Sequence, residues 1–116
     1  MRRDELIEYC LAKPGAEESY PWGDEELVAK VGGKAFAFIG MAGDSVGVKC
    51  GASAEEAAEY RERYPDDVRT SDYIGRYGWN KVRYEGGAVP DDEVLELLDR
   101  SYAAIVAKLP KSRRPA

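Results

Sequence analysis

Trp79, Lys81 and Arg83 occupy alternate positions of "WNKVR". In an extended chain they project to one side. The preceding residues, "YIGRYGWNK" (73–81), add Arg76 between Gly75 and Gly78. A guanidinium forks a phosphate or carboxylate, and an indole beside it offers a surface for stacking. Similar residue types recur upstream: Lys30 in "ELVAKVG", Lys34 opening "KAFAFIG", Lys49 in "SVGVKCG" and Trp22 in "YPWG". Trp22, Lys30, Lys34, Lys49, Arg76, Trp79, Lys81 and Arg83 are therefore the candidate ligand-binding residues. The competing reading is structural. Lysines on a solvated sheet face discourage edge-to-edge pairing. Trp22 then serves as a lid on the core, with Tyr73 and Tyr77 closing one end of it.

Other chemistry is poorly provided for. The chain has no histidine, which removes Ser-His-Asp and Cys-His catalysis and imidazole metal sites. Cys10 and Cys50 are the only cysteines and form no CxxC, so two buried free thiols are expected. The acidic groups Asp24-Glu25-Glu26, Asp66-Asp67 and Asp91-Asp92-Glu93 each sit at a turn or helix start, where capping and solvation account for them. Ser101 falls on the apolar face of the last helix without a base to activate it, and a bond back to a helix carbonyl is expected. "GGKAFAFIG" lacks the ending and spacing of a phosphate-binding loop. No catalytic residue, metal or cofactor is expected.

The elements that must position the candidates follow from periodicity. At 116 residues and 44% hydrophobic content, the chain reads as one folded domain over 1–109. A basic tail, 110–116, is expected to be disordered. No run approaches the roughly 20 apolar residues of a membrane helix, and acids interrupt "MRRDELIEYC" where a signal peptide is apolar. A cytoplasmic monomer is expected. The net charge is −5, and four of the cations lie from Lys108 onward, so the remainder is more acidic still. That balance opposes nucleic acid unless the cations gather in one patch.

Helices are predicted over 4–12, about 54–64 behind a Ser53–Glu56 capping box, and from Pro90 to about Leu109. Strands are predicted over 26–32, 34–40, 45–51 and 79–86, the first two joined by Gly32-Gly33. Residues 66–78 read as a loop. The order α-β-β-β-α-β-α predicts an α+β fold: an antiparallel sheet of about four or five strands with helices on one face. Alternation then collects Lys30, Lys49, Lys81 and Arg83 on the other face. Phe36 and Phe38 share a parity that leaves "KAFAFIG" apolar on both sides.

"SYPWG", "KAFAFIG", "VGVKCG", "YIGRYGWNKV" and "VPDDEVLELLDRSY", in this order, resemble the MmcQ/YjbR family of small bacterial proteins from about Glu5 to Leu109. The resemblance implies a CyaY-like fold and a DNA-binding role. Many members carry His-Trp where this chain has Gly78-Trp79, so a contact made by that histidine does not transfer. The expected function is thus a non-enzymatic module that binds DNA through a basic, aromatic sheet face. The alternative is an adaptor for an acidic protein or a small anion.

Overall fold

The computed structural model describes every residue except Ala52, Tyr73 and Ala116. Its elements are α1 (Arg3–Leu11), β1 (Ala16–Ser19), β2 (Glu26–Val31), β3 (Lys34–Gly40), β4 (Ser45–Lys49), α2 (Ala54–Arg63), β5 (Val68–Thr70), β6 (Trp79–Arg83) and α3 (Asp91–Lys108). Short 3-10 turns cover Gly75–Tyr77 and Lys111–Arg113. The strands form one antiparallel sheet in the order β1-β2-β3-β4-β6-β5. The α+β class and the three helices are as expected from the sequence. The strand count is six, because β1 and β5 lie where only irregular chain is predicted. Both are edge strands of four and three residues, and apart from Val68 their residues are not buried. Without an apolar alternation, only ladder bonds to β2 and β6 define them.

Local chemistry accounts for the long elements. Gly32 and Gly33 have φ of 58° and 84°, the positive pair that a two-residue hairpin turn demands between β2 and β3. Ser53 accepts the Glu56 N–H at 3.3 Å and starts α2. In α3, Val94, Leu97, Leu98, Ser101 and Ile105 recur at helical spacing and are buried. They pack on β3 and β4, and Leu6 and Cys10 of α1 join the same core. Both thiols are free and buried; burial pushes Cys10 up to about 12 and Cys50 up to about 11. No helix among the described residues is long and apolar enough to cross a membrane.

An irregularity in β3 resolves the ambiguity of "KAFAFIG". Ala37 pairs with Ala29 but Ala35 pairs with Lys30, so Phe36 is an extra residue bulged out of register. The bulge turns Phe36 to the helix side, where its ring meets Tyr102 edge-on at 5.2 Å. Phe38 stays on the opposite face. Ser101 fills the break in the ladder: its hydroxyl donates to the Phe36 carbonyl at 2.6 Å and accepts the Lys49 N–H at 3.0 Å. All three groups are buried, so Ser101 joins two strands rather than bonding back to its own helix. In the tail, a short 3-10 turn covers Lys111–Arg113. Arg114 donates to the Leu109 and Ala107 carbonyls, and Leu109 packs over Gly32.

Candidate functional site

On the face of the sheet away from the helices, three rings stand in a row. Phe38 lies between Trp22, at 6.4 Å between centroids, and Trp79, at 5.4 Å and nearly edge-on. Phe38 is register partner to Gly47, and a side chain at Gly47 would start 3.3 Å from Phe38 Cβ. The glycine thus lets the ring lie down against β4. Trp22 is 67% exposed, held above the strand by the Tyr20–Gly23 turn; Trp79 is only 8% exposed. Trp22 and Phe38 line a groove of about 660 Å³ whose walls also include Gly47, Ile74, Arg69 and Lys81.

The charges around the groove are largely matched. Lys81 stands 3.7 Å from Asp72. Arg83 Nε donates to Asp44 at 2.8 Å, and its other arm reaches Asp67 at 3.4 Å. The hydrogen bond from Arg83 holds the Asp44 carboxyl below its ordinary value, and the same pair holds Arg83 charged. Asp67 is 8% exposed and also accepts the Ala88 N–H at 2.8 Å. It ties the β5 edge to the loop before α3 instead of merely capping a turn. Asp44, Glu26 and Asp72 give the groove three acids against two cations, Arg69 and Lys81.

The eight candidates therefore do not form one patch. Trp22 joins Trp79, Lys81 and Arg83 on the open face; alternation predicts this for the last three. Lys30 and Lys34 lie at the hairpin end of β2 and β3, opposite the Glu26–Gly40 end where the groove opens; Lys30 has Glu17 as register partner. Arg76 folds over the Tyr77 ring at 4.8 Å. Tyr77 is 51% exposed and so does not close the core, and Tyr73 lies outside the described residues. Lys49 departs furthest from expectation. It is 4% exposed, its ammonium donates to the Tyr77 carbonyl, and it lines a separate cavity with residues of α2 and α3. Trp22 belongs to the groove and not to the main core, which settles the lid reading against it. Sequence reasoning overlooks Arg69, and it leaves Phe38 and Gly47 out of the candidate set. The pairing of a glycine opposite a phenylalanine was the available signal for the last two, had the register been known.

The YjbR family profile matches residues 11–104. A relative in Escherichia coli K12, the uncharacterized protein YjbR, is 34% identical over 114 residues, spanning 98% of this chain and 95% of its own. This chain belongs to the YjbR family. A YjbR-like fold is also seen in the crystal structure of Deinococcus radiodurans protein DR2400, described as a DUF419 domain. It superposes with a TM-score of 0.82 at 27% identity, over 95% of this chain and 83% of that one. A Pseudomonas syringae protein shares the fold at 19% identity and a TM-score of 0.71, over 90% of this chain and 98% of its own.

Proposed function

We propose that this YjbR-family chain is a non-enzymatic binding module, and that its contact surface is the groove lined by Trp22 and Phe38, with Trp79 packed edge-on against Phe38. The observation that carries the reading is a largely exposed indole held beside two further rings on the face of the sheet away from α3. Exposed aromatic rings next to arginine are the anchors that protein interfaces favour. The occupant that fits best is a protein segment with apolar side chains and charges of both signs, since Arg69 and Lys81 line the groove together with Glu26, Asp44 and Asp72.

Duplex DNA, which the family resemblance suggests, fits this surface less well. Phosphate binding draws its free energy from cations that release counterions. Here Lys81 and Arg83 are matched by Asp44, Asp67 and Asp72, and Lys49 is buried away from the groove. Two measurements test the reading. A fluorescent duplex is titrated with the protein at low and moderate salt, and affinity retention is compared for the wild type and Trp22→Ala. The adaptor reading expects no duplex binding and a protein retained only by the wild type. Saturable duplex binding that falls steeply with salt overturns it in favour of DNA.

A further inference from the structure

We propose that the cavity bounded by α2, α3 and the end of β4 is a second site, which takes a small molecule bearing an oxyanion between Lys49 and Lys108. It is separate from the groove and does not rest on the function proposed there. The cavity measures about 680 Å³, within the span of roughly 300–1,000 Å³ typical of small-molecule sites. Lys49, Arg100 and Lys108 line it with two carboxylates, Glu56 and Glu59, three cations to two acids in a chain of net charge −5.

Lys49 is the unusual member. A buried ammonium is costly unless a counter-charge accompanies it. Its hydrogen-bond acceptor, the Tyr77 carbonyl, is neutral. Burial first, and then the nearby Lys108 ammonium, hold Lys49 below its ordinary pKa; Glu56 acts in the opposite direction and more weakly. An oxyanion between the two lysines replaces that repulsion with two charge-assisted hydrogen bonds. Arg100 is fixed by Glu96 and the Tyr60 hydroxyl, both at 2.8 Å, so its charge is matched and the two lysines are left to hold the anion. Buried Cys50 and Gly51 form part of the wall, and Gly51 leaves room for the Glu56 side chain, which would overlap a Cβ there at 2.5 Å.

The test is amide shift mapping and calorimetry on the full chain, with inorganic phosphate and with citrate at constant ionic strength. Saturable shifts are expected at Gly51 and Ala104. Lys108→Ala is expected to weaken binding at least about tenfold, the loss of one charged hydrogen bond, while Trp22→Ala leaves it unchanged. Binding of phosphate alone assigns a phosphoryl ligand, and binding of citrate alone a carboxylate; either supports the site. Lys108 is exposed, so its removal does not threaten the fold. Lys49→Met is the second variant, read only after circular dichroism shows native structure. Shifts that merely track ionic strength, or saturable binding that Lys108→Ala leaves intact, overturn the proposal.

Discussion

Phe36 and Phe38 stand two residues apart in one strand, yet they belong to opposite faces of the sheet. Phe36 is fully buried under α3. Phe38 is partly exposed between two indoles. The same contrast holds for the polar residues beside them. Ser101, on the helix side, has both hydrogen bonds made in a dry environment. Arg83 and Lys81, on the open side, share their acids with solvent. The helix face is where a lost contact costs stability, and the open face is where a lost contact should cost recognition.

Phe36→Ala should break the comparison most heavily, with a loss of about 3–5 kcal/mol in denaturant unfolding. Phe38→Ala should cost no more than about half of that, because part of its surface already meets water. Equal losses would mean that the open face is as closed as the core. Ser101→Ala comes next, at about 1–3 kcal/mol, since it leaves the Phe36 carbonyl and the Lys49 N–H buried without a partner. Ser101→Thr, which keeps the hydroxyl, separates the lost bonds from the change in volume.

Trp22→Ala should change stability by under about 0.5 kcal/mol while abolishing retention of a partner, and parallel melts and binding assays check the two halves of that statement. The smallest effect is electrostatic. Asp44 has a depressed pKa in the folded protein, so its contribution is present above the ordinary value of 3.8 and is lost as pH falls through the folded value. Asp44→Asn should therefore lower stability slightly at neutral pH and leave a shallower decline in acid titration. Both partners are substantially exposed, which keeps the difference small.

The long elements are legible in the sequence because burial imposes a period on them. α3 announces itself through Val94, Leu97, Leu98, Ser101 and Ile105, and the β2–β3 hairpin through Gly32-Gly33. β1 and β5 are not legible, since four and three residues at a sheet edge carry no such period. On the open face, alternation correctly joins Trp79, Lys81 and Arg83. It fails at Phe36 because a bulge changes parity without any residue type to mark it. The acids that match the open-face cations also escape it. Asp44 and Asp67 are 39 and 16 residues from Arg83 and arrive only through the tertiary fold. A cation's position along a strand says where it points and nothing about which carboxylate waits for it.

Gly78 has φ of 92°, a side chain there would begin 2.4 Å from the Gly51 carbonyl, and its own carbonyl accepts the Cys50 N–H at 2.7 Å. The next residue is Trp79. A displacement of the chain at Cys50 or Gly51 must therefore be felt by an indole packed edge-on against Phe38. The protein carries its own optical gauge: the near-ultraviolet dichroism of one sheltered tryptophan registers events on the far side of the sheet, with no dye attached.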